Sequence, residues 1–255
     1  MGDAYTSGET QLHSFDLAGA YTSWLDQIED NQADNASDTA RYGAVPDCVP
    51  FYGGHCHLPS SPSWGQAYPS LANWVFEYYD DLELVKAHYG NIKLYTDSLT
   101  ARAKVNDAKN HTLLDTGGWG DWCAPGGCGG TGTCGGSHDY ISTIRVMKQW
   151  AAAVNNSADL ATYSALEAKV AAAFDAAYFS AGGGKGPEAK RGYTCASTRP
   201  QTANALGLQV SPGGASATVT LAALVRPSTL TIVHAGIDAA LHTTLPSEMP
   251  PFVAR

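Results

Sequence analysis

Apolar residues recur at spacings of three and four along most of the first 180 positions. Leu12, Phe15, Ala18, Tyr21, Leu25 and Ile28 form one stripe and predict a helix over 9–32. Leu71, Trp74, Val75 and Tyr78 predict a second over about 68–79, with Pro69 in its first turn, where a missing N–H does no harm. Val85, Tyr89, Ile92, Tyr95 and Leu99 predict a helix over about 82–104, with Gly90 as an interruption. Tyr140, Ile144, Met147, Trp150 and Val154 mark 139–154, and Leu160, Tyr163, Leu166, Val170 and Phe174 mark 157–179. Shorter helices are expected over 198–208, 215–225 and 236–245. No stretch alternates apolar and polar with period two, so no strand is expected.

Between these stripes the chain is polar and rich in Gly and Pro. Residues 34–47 read as a loop, and 51–64 as a long irregular loop carrying Gly53-Gly54. Residues 116–137 are a loop of Gly, Cys, Trp and Pro, a length that inside a compact domain signals function or disorder. Gly182 to Pro187 breaks the pattern again, and Pro246, Pro250 and Pro251 end any regular structure. Helix, long decorated loop, helix is the pattern of an all-α array of antiparallel hairpins, such as an (α/α)6 toroid, with a site built by loops at one end. The expected organisation is one partial domain over 1–245 and an irregular tail over 246–255.

Composition narrows the partners. Of 255 residues only 15% are charged, and the formal net charge is −9. Nucleic acid and an anionic membrane both need a basic surface, so neither is an expected partner. A neutral ligand such as a sugar is compatible. No apolar run has the length of a membrane span, and Met1-Gly2-Asp3-Ala4-Tyr5 has neither the basic nor the apolar region of a signal peptide, so none is expected here. The cysteines are Cys48, Cys56, Cys123, Cys128, Cys134 and Cys195, and sequons begin at Asn35, Asn110 and Asn155. Together they point to a secretory parent protein. Cys123, Cys128 and Cys134, with His138 and the His55-Cys56-His57 run, admit disulfides, free thiols or a zinc site. They lack the tight Cys-x2-Cys of structural zinc, so no metal is expected.

The chemistry-bearing residues are aromatic and acidic. Pro62-Ser63-Trp64-Gly65-Gln66-Ala67 puts a Trp on a Pro- and Gly-punctuated loop just ahead of an aromatic-rich helix. An aromatic face stacks on the C–H face of a pyranose while polar neighbours bind its hydroxyls. Gly2-Asp3-Ala4, Val45-Pro46-Asp47, Gly120-Asp121-Trp122 and Gln201-Thr202-Ala203-Asn204 accompany it in that order. No Gly-x-Ser-x-Gly elbow and no Gly-Lys-Ser/Thr phosphate loop occurs.

In this order the motifs resemble the catalytic domain of family 78 α-L-rhamnosidases, with Gln66 where that family places a small or acidic residue. The resemblance implies an (α/α)6 fold, no cofactor, and a rhamnose-containing glycoside or polysaccharide as substrate. It implies sugar-binding roles for Asp3, Trp64, Gln66, Asp121 and Trp122, and packing for the helix of Gln201. Such enzymes invert configuration with a general acid and a general base. The resemblance puts the acid upstream of Gly2 and the base beyond the last helix, so no catalytic carboxylate is expected in this chain. The expectation is therefore a truncated rhamnosidase domain without activity of its own. The alternatives are a non-catalytic carbohydrate-binding relic and another (α/α)6 glycosidase.

Overall fold

In the computed structural model, which describes residues 1–106, 113–114, 133–180, 192–195 and 200–211, the apolar stripes fold as helices. They are α1 (Gly2–Ser14), α2 (Ala18–Asp30), α3 (Pro62–Gly65), α4 (Ala67–Tyr79), α5 (Leu82–Asn106), α6 (Thr133–Ala153), α7 (Ser157–Tyr178) and α8 (Pro200–Val210). A two-residue antiparallel pair, β1 (Phe179–Ser180) and β2 (Gly192–Tyr193), follows α7.

Several boundaries differ from the periodic reading. The expected helix over 9–32 is two helices, because Phe15 turns extended and the chain reverses before Ala18. Phe15 is 66% exposed rather than inward, whereas Leu12, Tyr21, Leu25 and Ile28 are buried. A three-residue turn left the phase of the stripe intact. Gly90 does not interrupt α5, since nothing crowds that position and the helix runs through it. Helix α6 starts at Thr133, inside the expected Gly-rich loop. A Cβ on Gly136 would lie 2.7 Å from the Leu114 carbonyl oxygen, so the bare backbone lets α6 pack against residues 113–114. The β1–β2 pair was not expected, and at two residues per strand it is too short to show alternation. The helices expected over 215–225 and 236–245, and the tail over 246–255, lie outside the described residues.

Side-chain pairs fix the directions of the helices. Helix α1 runs alongside α4, with Gly2 against Trp64 at one end and His13 Nε2 within 2.5 Å of the Tyr78 hydroxyl at the other. Helix α4 runs alongside α6, because Thr143 donates to Gln66 Oε1 at 2.6 Å and Trp150 donates to Asn73 Oδ1 at 3.0 Å. Helices α1, α4 and α6 are thus parallel. Helices α2, α5 and α7 are parallel to one another in the opposite sense. His88 sits 2.9 Å from Glu29, and Gln32 donates to the Asn91 carbonyl at 3.0 Å. Tyr89 donates to Asp159 at 2.8 Å, and Lys93 donates to the Tyr163 hydroxyl at 3.1 Å. The described residues therefore form consecutive hairpins, α1/α2, α4/α5 and α6/α7, followed by α8, in the manner of a toroid sector.

The connections are sorted by end. Residues 15–17, 80–81 and 154–156 join the hairpins at one end, and Asp80 and Asn155 make their turns with φ of 54° and 59°. Asn156 then caps α7 by accepting from the Asp159 N–H at 3.1 Å. Residues 31–61, residues 113–114 and the β1–β2 pair all lie at the opposite end, where α1, α4 and α6 begin. Long chain segments collect there, so a site built by loops has one place to form.

The core between the layers is aromatic, with Tyr68, Tyr95, Tyr140, Trp150, Tyr163, Phe174 and Tyr193 all below 3% exposure. Polar tips find partners inside it. Tyr140 pairs with Thr100 at 2.8 Å, and burial pushes its hydroxyl up to about 12. Asn204 accepts the Tyr193 N–H at 2.9 Å, which gives the expected packing helix α8 its anchor. No helix among the described residues is long and apolar enough to cross a membrane.

Arg145 and Glu167 tie the last helices together. Arg145 donates to Glu167 at 2.6 Å and to the carbonyls of Gln209 and Val210. Lys148 donates to the second Glu167 oxygen at 2.7 Å. Burial works to raise the Glu167 carboxyl, but the bonds from Lys148 and Arg145 prevail and hold it below its usual 4.5. A depressed carboxylate stabilises the fold above the unfolded value, and that contribution is lost as pH falls through the folded value. Glu167→Gln is therefore expected to be less stable at neutral pH and to lose less stability than the parent between about pH 5 and pH 3. Chemical denaturation across that range measures it, and identical pH slopes for the two proteins would contradict the assignment.

Candidate functional site

The end where α1, α4 and α6 begin brings the first sequence motifs together. Gly2 and Asp3 form the first turn of α1, and a Cβ on Gly2 would lie 2.7 Å from the Trp64 ring. The indole therefore rests on bare backbone. Asp3 is exposed, and an acid in a first turn complements the helix dipole. Its backbone carbonyl accepts from Thr6 and Ser7, and no described residue bonds its carboxylate. Trp64 is half-buried on α3, a single turn opened by Pro62.

Gln66 sits lower. It is 1% exposed, its amide nitrogen donates to Ser70 at 2.9 Å, and its oxygen accepts from Thr143 at 2.6 Å. A bond from Gln66 to a sugar would compete with these. Asp121 and Trp122, with Trp119, Cys123 and Cys128, lie outside the described residues.

Asp47 is the polar centre beneath this face. It is 5% exposed, its Oδ1 accepts the Ser61 N–H at 2.9 Å, and its Oδ2 lies 3.0 Å from His57 Nδ1. Its own carbonyl accepts from the Met1 nitrogen at 2.7 Å. One residue thus links the start of α1, through its carbonyl, with the neck of the 48–56 loop and the chain entering α3, through its carboxylate. Ser60 Oγ and the Tyr95 hydroxyl are buried nearby as neighbours, and Ser61 Oγ and Arg102 Nη1 are buried without hydrogen-bond partners among the described residues. Burial raises the Tyr95 hydroxyl. Burial lowers Arg102, against the opposing pull of Tyr95 and Asp47. Unpaired buried groups such as Ser61 Oγ and Arg102 Nη1 are places for ordered water or a ligand hydroxyl. Tyr5 and Asp139 complete the surroundings: burial, then the Asp139 charge, pushes the Tyr5 hydroxyl up. His138 bridges Asp139 at 3.0 Å and Gln209 at 2.5 Å.

Asp3 and Trp64 are the predicted residues that this end of the fold presents at its surface. Asp47, Ser60, Ser61, Tyr95 and Arg102 were not among the predicted site residues. Asp47 was visible only as part of the Val-Pro-Asp segment. The others carry no local signal, since they meet from segments far apart in the chain.

Two disulfides brace the same end. Cys48 pairs with Cys56 across a Cα–Cα distance of 5.7 Å, and Cys134 pairs with Cys195 across 5.9 Å. Both withdraw thiols from the zinc reading, and no described group of His, Cys, Asp and Glu is placed to hold a metal.

Gly65 tests how tightly the face is built. A Cβ there would fall 2.3 Å from the Tyr95 hydroxyl and 2.4 Å from Ser60 Oγ. Gly65→Ala is expected to cost about 1–3 kcal/mol of stability, the scale of overpacking a filled site. A urea midpoint unchanged by the substitution would show room that the structure lacks.

Comparison with known proteins adds the following. The family described as bacterial alpha-L-rhamnosidase 6 hairpin glycosidase domain matches residues 1–234. An α-L-rhamnosidase of Formosa agariphila is 25% identical over 189 residues, which are 71% of this chain and 19% of that protein. The structure of an α-L-rhamnosidase from Dictyoglumus thermophilum superposes with a TM-score of 0.71 at 25% identity, covering 88% of this chain and 23% of that one. An α-L-rhamnosidase from Aspergillus terreus superposes with a TM-score of 0.68 at 19% identity, covering 88% and 24%, and shares the fold. The chain spans about a fifth to a quarter of the length of these relatives.

Proposed function

We propose, from the premise that this chain belongs to the bacterial α-L-rhamnosidase six-hairpin glycosidase domain family, that it supplies the sugar-binding face of a rhamnoside-cleaving site. The observation that carries the reading is the seating of Trp64 on Gly2. It sets a half-buried indole against the residue that precedes the exposed Asp3, at the end where α1, α4 and α6 begin. Trp64 offers a ring face to the C–H face of rhamnose, and Asp3 accepts hydrogen bonds from its hydroxyls. Asp121 and Trp122 join them on the family resemblance. Gln66 contributes from below, by holding the start of α4 against α6 through Ser70 and Thr143. The Asp47 cluster keeps the start of α1 and the approach to α3 in register, so that Asp3 and Trp64 face the ligand together.

Inverting hydrolysis needs one carboxylic acid to protonate the leaving oxygen and one carboxylate to activate water on the opposite face. The reading assigns neither role to a residue of this chain, and places both catalytic groups in the flanking parts of the family's domain. The substrate class is a terminal α-L-rhamnoside of a glycoside or polysaccharide, a neutral unit suited to a chain of net charge −9.

The test is a titration of the purified chain with L-rhamnose, followed by tryptophan fluorescence, beside an assay with an aryl α-L-rhamnoside. Saturable binding without turnover is expected. Trp64→Ala should weaken binding by about 1–3 kcal/mol, the scale of burying one large side chain. Turnover that Asp121→Asn or Glu9→Gln abolishes would show that the acid and base lie within the chain. Rhamnose binding that Trp64→Ala leaves unchanged would remove Trp64 from the site.

A further inference from the structure

Residues 48–56 form a small lobe at the same end of the molecule, and its construction points outward. Its stem pairs the Ser60 N–H with the Val45 carbonyl and the Asp47 N–H with the His57 carbonyl, each at 2.9 Å. The Cys48–Cys56 disulfide closes the neck above that stem. Three further bonds fix the lobe: Trp24 Nε1 donates to the Val49 carbonyl at 3.4 Å, the Phe51 N–H donates to Asn31 Oδ1 at 3.1 Å, and the Cys56 N–H donates to the Gly53 carbonyl at 3.1 Å. Gly53 and Gly54 turn the tip with φ of 72° and 65°, the left-handed region that glycine enters without strain.

On this pinned backbone Tyr52 is 73% exposed and Phe51 is 41% exposed. A loop that only had to close would carry small polar residues there. Single exposed aromatics are ordinary, but two adjacent ones on an immobilised tip present a ring surface at little entropic cost on binding. The lobe holds no Asp, Glu, Lys or Arg, so it suits a neutral ring rather than an ion. Its stem residue Asp47 bonds both Met1 and Ser61, which adjoin the Gly2–Trp64 contact. The chain leaving the neck runs through Ser60 and Ser61 straight into α3, so the lobe and Trp64 are carried on one segment.

We propose that Phe51 and Tyr52 are a second sugar-stacking platform, binding the pyranose to which the rhamnose is attached. The inference rests on the reading of the Trp64 face as the rhamnose site. Trp64 and Asp3 select the rhamnose, and the lobe grips its neighbour and so selects glycosides over the free sugar.

The experiment compares methyl α-L-rhamnopyranoside with an α-L-rhamnosyl-(1→6)-glucose disaccharide by calorimetric titration of the full chain. The disaccharide is expected to bind about tenfold more tightly, the return on one added aromatic stack. The Phe51→Ala/Tyr52→Ala double variant should lose that advantage while keeping the monosaccharide affinity. Tyr52→Phe, which retains the ring, should retain most of it, with unchanged helical circular dichroism for both variants. Equal affinities for the two sugars in the parent chain, or an advantage that survives the double variant, would overturn the platform and leave the Trp64 site standing. A double variant that turns a dimer into a monomer without altering disaccharide affinity would make the lobe a contact between copies, and would also overturn it. Failure of both sugars to bind the parent chain would overturn the rhamnose site and the platform with it.

Discussion

Trp64 can lie on α1 only because Gly2 has no side chain, and the geometry of the loop-bearing end follows from that contact. At the end where the parallel helices α1, α4 and α6 begin, glycines admit neighbours closer than a Cβ would allow. Gly2 meets the Trp64 ring, Gly65 meets Tyr95 and Ser60, and Gly136 meets the Leu114 carbonyl. Gly8 does the same against Leu71 in the body of α1, and the large residues Trp150, Tyr140 and Tyr68 are fully buried in the core.

A tight junction of helix starts leaves polar groups to be satisfied, and Asp47 takes much of that task. Its carboxylate and carbonyl accept from Ser61 and Met1 and pair with His57, which joins three segments distant in sequence. Removing one partner of so buried a carboxylate would leave the others under-coordinated, which costs more than the bond itself is worth. The same end carries both described disulfides and the long 31–61 connection. The opposite end needs only two- and three-residue turns. Stability and variability are thus separated along the helix axis: short turns and an aromatic core hold the hairpins, and the braced loops are left to meet a ligand.

Much of this was legible in the apolar spacing. Helices α4, α5 and α7 fall within a few residues of their expected limits, because Pro, Gly or polar residues mark their ends in the sequence. The α1–α2 reversal was not legible, since the turn at Phe15 preserves the phase of the stripe. The early start of α6 was hidden because glycines that read as loop are there for close packing. Trp64 stood out through its Pro- and Gly-rich setting, and Asp3 through the order of motifs. The buried set of Ser60, Ser61, Tyr95 and Arg102 could not be read from any window of the chain. It exists only when the segment before α3 is laid against α5, and tertiary contact of that kind leaves no local periodicity.

The account turns on Trp64 being the indole that a rhamnose ring meets. Fluorine NMR of the chain labelled with 5-fluorotryptophan, its Trp64 resonance assigned through Trp64→Phe, tests this directly. During titration with L-rhamnose the Trp64 resonance should move saturably, while those of Trp74 and Trp150, seated against the body of the helices, and of Trp24, bonded to the Val49 carbonyl, stay in place. A still Trp64 signal alongside movement at Trp24, Trp74 or Trp150 would contradict the account.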